Sequence, residues 1–467
     1  MRKSIHTKFI LFLLLSGVGF SSCKKYVDAG DPVNLLTPDK VFSDSSATLG
    51  AVLALYSNSN INGIAGATIG STSLIYDLCL YGSMSADDAY LYNNSYYDPY
   101  RTNTLAAGSG NWGTVIYPFP YQAINIANKA IEGISGSSSY SDMFKNQLIG
   151  ECEFWRAYAY FNLVNYFGDV PLVTTTNTTV NASLPRAPAA SVYNQIIADL
   201  FDAKGRVSVA YPSAEKARVN QATVFALLSR VYLYQQKWDS AEYYATQIIG
   251  SGTYSLETNL NNVFIKTSKE TIWQTVSNVA AGINGVTKMG AALLPSGTVP
   301  LFVLYDTLAS TFETGDQRKA NWTKSIVYNG ATLYYPYKYK IRITSVPGNE
   351  YNVMFRLAEQ YLIRSEARAM QNNITGAQED LNAIRGRAGL GNTTAATQAD
   401  ILMALEHERW VELFTEMSDR WFNLKRTGRI DAVLSLTKPQ WKPFQALYPI
   451  PQNEITANPK LTQNTGY

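Results

Sequence analysis

Glu408, Glu412, Glu416 and Arg420 recur every four residues, which sets three carboxylates and a guanidinium along one face of a helix. Carboxylates at that spacing admit two readings. One is an acid and base pair for glycoside hydrolysis. The other is an ion-pair ladder with Arg409, Arg420 and Arg426. Further catalytic chemistry finds few residues to work with. His6 and His407 are the two histidines, and His407, between Glu406 and Glu408, reads as a solvated or ion-paired position. A Ser-His-Asp or Cys-His nucleophile would have to be built on that residue alone. No Cys/His cluster has the ligand spacing of a zinc site, so neither metal nor cofactor is expected.

Aromatic chemistry is abundant instead. The chain carries 32 Tyr, more than its 18 Phe and 8 Trp together. Tyrosine keeps a polar tip on an apolar ring and suits half-wet contacts. A sugar offers an apolar C–H face and a rim of hydroxyls, so it calls for exposed aromatic platforms flanked by polar groups. Residues 90–103 supply Tyr90, Tyr92, Asn93, Asn94, Tyr96, Tyr97, Asp98, Tyr100, Arg101 and Asn103, just after Asp87-Asp88. A second segment from Asp316 to Tyr337 offers Arg318, Asn321, Trp322, Tyr328 and Asn329. The candidate ligand-binding residues are therefore Asp88, Tyr92, Asn93, Asn94, Tyr96, Tyr97, Tyr100, Arg101, Trp322 and Tyr328. The competing reading is a Tyr-rich loop packed on itself.

The start of the chain has the order of an export signal. Arg2, Lys3 and Lys8 precede the apolar run Phe9–Phe20, and Ser21-Ser22-Cys23 closes it. The run is too short for a permanent membrane helix, and the placement of Cys23 looks like a bacterial lipoprotein signal in which that cysteine becomes the lipidated first residue. Removing residues 1–22 leaves 36 basic and 36 acidic residues, so a footprint for nucleic acid is absent. Cys79 and Cys152 are then the remaining cysteines, expected to be buried and unpaired.

Helical periodicity dominates the rest. Residues 24–36 read as a tether, and Thr37-Pro38-Asp39 opens a helix. The stretch 61–110 has little helical period. Helices follow from Trp112, from Phe144 through Leu163 with a stop at Phe167-Gly168-Asp169-Val170-Pro171, and after Pro188. Residues 220–250 resemble a tetratricopeptide helical hairpin of about 34 residues, and a similar pair is expected at Met354–Met370 and Ala377–Ala388. Such pairs must stack to bury their faces. Thr271–Val276 and Tyr337–Ile343 look like strands. The expected architecture is mainly α: a signal peptide over 1–22, then one domain over 23–467. Within it, 23–250 is helical, 251–350 a loop and strand excursion, and 351–467 a helical half with an extended tail.

Five blocks in order resemble the SusD/RagB family of nutrient-binding outer-membrane lipoproteins. They are Cys23–Asp28 with Leu36-Thr37 and Val41-Phe42; Gly150-Glu151 through Tyr160-Phe161 to Leu172; Arg356–Glu359 with Leu381–Leu390; Glu408-Arg409 through Arg420–Arg426; and Tyr448–Ile455 with Asn458-Pro459 and Gln463–Tyr467. The chain departs at Phe414-Thr415-Glu416-Met417, where members carry Phe-Glu-Gly, and in having Lys24-Lys25 after the cysteine. The resemblance implies a tetratricopeptide-like superhelical scaffold and a lid over a SusC-like TonB-dependent transporter. It implies capture of an oligosaccharide, or an oligopeptide in some branches, with no bond broken, and lipid anchoring at the outer membrane, on the cell surface. It also marks Glu408–Arg420 as scaffold, which favours the ion-pair ladder over a lipid-anchored glycoside hydrolase. It further implies that residues 90–103 supply stacking platforms.

Overall fold

The computed structural model describes residues 38–58, 74–108, 116–276, 287–342 and 348–467. Cys23, the 24–36 tether and Trp112 lie outside these segments.

The centre is the helix Asp142–Phe167, buried on every side from Leu148 onward. Ser141 Oγ accepts from the Phe144 amide at its start, and Gly168, at φ 71°, ends it, where the left-handed conformation favours glycine. Helices Pro118–Gly136 and Ala189–Arg206 flank it on two sides. The buried guanidinium of Arg156 ties all three together, donating to both Asp199 oxygens at 2.8 and 2.6 Å and to Asn128 Oδ1 at 2.8 Å. An aromatic core of Phe154, Trp155 and Tyr158 from the central helix with Trp273 and Phe355 packs edge to face, with Trp155 and Trp273 centroids 5.2 Å apart.

The two expected helical hairpins are present. Gln221–Tyr234 and Trp238–Ile249 form one, capped by Asn220, whose Oδ1 accepts from the Thr223 amide at 3.0 Å. Leu357–Met370 and Ile374–Arg387 form the other, and Trp238–Ile249 packs on Leu357–Met370, so the pairs stack. Gln236, at φ 54°, and Asn372, at φ 63°, make the two tight turns. The second hairpin begins later than its apolar period suggests. Asn352–Arg356 is a buried strand paired antiparallel with Thr271–Thr275, and the helix follows it directly.

Two expectations need correction. Leu74–Ser85 is a helix inside the stretch that reads as aperiodic. From Leu78 to Ala89 every residue is buried, so no polar face marks the period. Among the described residues, 337–342 form no strand. The alternation of Tyr and Lys there is broken by Lys338, which points inward, while Tyr339 is buried and its hydroxyl accepts from the Val353 amide at 3.0 Å. The strands fall just before, at Thr323–Tyr328 and Ala331–Pro336. Cys79 and Cys152 are both buried and form no disulfide, as expected.

Candidate functional site

Two arms distant in sequence meet at the surface. The first begins with the strand Ala89–Leu91, antiparallel to Phe302–Leu304 and extended by the Tyr92 amide donating to Leu301 O at 2.8 Å. The second is the hairpin Thr323–Tyr328/Ala331–Pro336, which packs against Phe302–Leu304. Asn329 and Gly330, at φ 48° and 78°, turn it. Paired left-handed residues are what a two-residue hairpin turn needs, and an Asn-Gly step between strand-like runs was the sequence signal for it. Tyr328 stands beside that turn, opposite Ala331.

The arms bring Tyr92 and Tyr328 edge to face, centroids 6.3 Å apart and planes at 89°. Tyr90 leans on Tyr305 at 5.0 Å, and the Arg101 guanidinium lies 5.6 Å from the Tyr90 ring centroid, steadied by Asp98 Oδ1 at 2.9 Å. Burial pushes the Tyr90 hydroxyl up from its ordinary pKa, with Asp306 adding to the shift. Tyr96 is 54% exposed and sets its ring against Tyr97 at 5.1 Å. Asn94 Oδ1 accepts from the Tyr96 amide, and Asn93, at φ 51°, is exposed. Tyr90, Tyr92, Tyr305 and Tyr328 are all half-buried, with one side packed and one side wet. Tyr305 carried no sequence signal; it arrives through the strand pairing.

Four candidates sit elsewhere. Tyr100 is wholly buried, stacked on Tyr81 at 4.3 Å, and Tyr97 is buried beside it. The self-packed reading therefore holds for these two. Trp322 is also core: its Nε1 donates to Leu260 O at 3.0 Å and its ring meets Phe264 at 5.7 Å. It secures the foot of the hairpin instead of offering a platform. Asp88 is buried, accepting from Trp410 Nε1 at 2.8 Å and the Thr415 amide at 3.1 Å. Burial, with Asp87 beside it, lifts its pKa to about 7. Asn103, also buried, accepts from Lys438 Nζ at 2.7 Å. Asn321 is tied to Asn261 at 2.8 Å.

The helix expected to carry Glu408, Glu412, Glu416 and Arg420 on one face ends at Leu413, so Glu416 lies in the turn before Asp419–Arg426; Glu408 and Glu412 are buried and saturated, and Glu416 is part-buried. Glu412 binds Arg318 at 2.9 Å and Arg356 at 2.5 Å, and Arg387 as well. Glu408 takes Arg318 at 2.6 Å and Arg385 at 3.3 Å; Glu416 takes Arg356 and Lys338. The expected ladder partners differ: Arg409 pairs with Asp419 and Glu359, Arg420 with Asp87, and Arg426 with Glu366. The carboxylates face inward, so their cations come from other elements. Burial would raise the Glu412 carboxyl, but its guanidiniums outweigh that and hold it well below the usual carboxylate range. Glu313, His407 and Glu408 lie close enough to consider a cation, yet Arg385 already bridges Glu313, at 2.6 Å, and Glu408.

Residues 61–233 match a family model described as "Starch-binding associating with outer membrane", and residues 270–467 match that of the SusD family. The chain belongs to the SusD/RagB family. It is 23% identical to the SusD-like protein P25 of Formosa agariphila over 531 aligned positions, covering 96% of this chain and 97% of that one. A SusD-like protein of Bacteroides ovatus is 22% identical, covering 78% and 79%. Among solved structures, a SusD superfamily protein of Bacteroides vulgatus superposes with TM-score 0.78 at 19% identity, covering 91% of this chain and all of that one. A structure described as a laminarin binding SusD-like protein gives TM-score 0.76 at 24% identity over 91% and 99%. The SusD/RagB tail block has a visible structural reason here. Asn464 Nδ2 donates to Phe167 O at 2.9 Å and Tyr448 O at 2.7 Å, strapping the tail onto the end of the central helix.

Proposed function

We propose that this chain captures a neutral oligosaccharide on the tyrosine cluster between residues 90–101 and the 323–336 hairpin. The observation that carries this reading is the contact of Tyr92 with Tyr328, which joins two half-exposed rings next in sequence to Asn93 and Asn94, while Arg101 lies over Tyr90. Rings fixed in that way offer faces to sugar C–H groups, while amides and a guanidinium serve the hydroxyls. The family's starch-binding description and the laminarin binding of a structural relative support the ligand class. Capture proceeds without bond cleavage, because Glu408 and Glu412 are buried and committed to guanidiniums. The captured sugar passes to a TonB-dependent transporter in the outer membrane, where acyl groups on Cys23 hold the protein at the cell surface. No helix among the described residues is long and apolar enough to cross a membrane. Electrophoresis through gels cast with starch or laminarin tests the ligand class. Retarded migration in one of them is expected; unaltered migration in both contradicts the reading.

A further inference from the structure

Both aromatic arms are tied to one strained turn. Between the helices Gln398–Leu413 and Asp419–Arg426, residues Thr415, Met417 and Ser418 adopt φ of 58°, 42° and 62°. Three left-handed residues that are not glycine, one of them β-branched, persist only where the surroundings impose the conformation. The surroundings here are the arms themselves. Asp88, the residue before the strand that leads to Tyr92, accepts from the Thr415 amide at 3.1 Å and from Trp410 Nε1 at 2.8 Å, while its own carbonyl accepts from the Tyr305 amide at 3.0 Å. Lys338 lies two residues past the hairpin that carries Tyr328. Its Nζ donates to Glu412 O at 2.8 Å, Phe414 O at 2.9 Å and Glu416 Oε1 at 2.5 Å. At the hairpin's other foot, Arg318 donates to Glu408 Oε1 at 2.6 Å and Glu412 Oε2 at 2.9 Å. Trp322 O accepts from the Tyr337 amide at 2.7 Å and draws the two feet together.

We propose that the 408–418 segment is the positioning hub of the tyrosine cluster, with Asp88 and Lys338 as the residues that set the separation of Tyr92 from Tyr328. Neither side chain reaches the surface, so each acts on a ligand only through the arm it fixes. This inference rests on the reading of the cluster as the ligand site. The departure at Phe414–Met417 lies inside this hub. Thr415 meets Asp88 with its amide, and Glu416 receives Lys338 together with Arg356 at 2.8 Å.

The test places spin labels on both arms of the full chain carrying Cys23→Ser, at Ser95→Cys and Val327→Cys. Both positions are exposed, and Cys79 and Cys152 are buried away from the reagent. Pulsed electron paramagnetic resonance reads the distance distribution, and calorimetry with starch-derived and laminarin-derived oligosaccharides reads affinity. Lys338→Met and Asp88→Asn are each expected to widen the distribution at least twofold and to weaken binding at least tenfold. Asp199→Asn, which breaks the remote Arg156 pair, destabilises the chain and leaves both readouts unchanged. Should Lys338→Met fail to fold, Asp88→Asn, of nearly equal volume, decides alone. A folded variant with the parental distribution overturns the proposal, whatever its affinity. Widened distances in the variants of a parent that binds neither oligosaccharide sustain the hub and remove only the glycan reading.

Discussion

Glu412 shows what the buried carboxylates do. Its two oxygens take three guanidiniums from Arg318, Arg356 and Arg387, which come from three separate elements. Removing one partner of a buried ion pair strands the others, at a cost of about 3–5 kcal/mol. Glu412→Ala is expected to lose stability of that order in urea denaturation, and a loss below ~1 kcal/mol would contradict the assignment. The sign of the pH dependence follows from the depressed pKa. The folded state keeps Glu412 ionised where the unfolded chain, near the ordinary value of 4.5, takes up a proton. The contribution is therefore whole above that value and drains away as pH falls below it. Glu412→Gln should flatten the melting temperature against pH between about 4.5 and 3. Trp322→Ala belongs with it, since a buried tryptophan removed from a core costs about 3–5 kcal/mol. Tyr96→Ala, at an exposed ring, is expected to leave stability nearly unchanged in the same assay.

Elements with a clear amphipathic face, a capping residue or a marked stop were legible before folding; a buried helix without such punctuation was not. The helix Leu74–Ser85 illustrates the second case, and its packing makes a sharp prediction. A Cβ at Gly82 would stand 2.4 Å from Ser418 Cβ and 2.7 Å from its Cα, in the strained turn. Gly82→Ala therefore forces that turn away, and a loss of about 1–3 kcal/mol is expected from overpacking, read by thermal unfolding. An unchanged melting temperature would mean the helix and turn are not in that contact. The first hairpin read well because Asn220 caps a helix whose small residues face a neighbour; in the second, Asn373 caps a helix that begins at Ile374, before its expected start at Ala377. The 323–336 hairpin was missed in spite of its Asn-Gly turn, because the Tyr-Lys alternation just after it drew the strand too far along. Tyr97, Tyr100 and Trp322 show the matching limit within the site. Residue type marks an aromatic segment, but which rings turn outward depends on partners such as Tyr81 and Phe264, far away in sequence.

Across the whole molecule, stacked helical pairs and a central helix hold a small β excursion whose tip is the wet aromatic cluster. Membrane attachment belongs to this scale as well. On the proposed lipid anchoring, Cys23→Ala is expected to give an exported protein recovered in the soluble fraction, since several acyl chains together anchor stably and the variant carries none. Recovery of that variant with membranes would place the anchor elsewhere. The central claim is that Tyr92 and Tyr328 form one platform for a glycan. Titration calorimetry on Tyr92→Ala, Tyr328→Ala and the double variant, with whichever of the starch or laminarin oligosaccharides the parent binds, tests it most directly. Each single change should weaken binding by about 1–3 kcal/mol. The double variant should lose less than the sum, because rings in contact share one role. Parental affinity in both single variants, with the fold intact, would contradict the account.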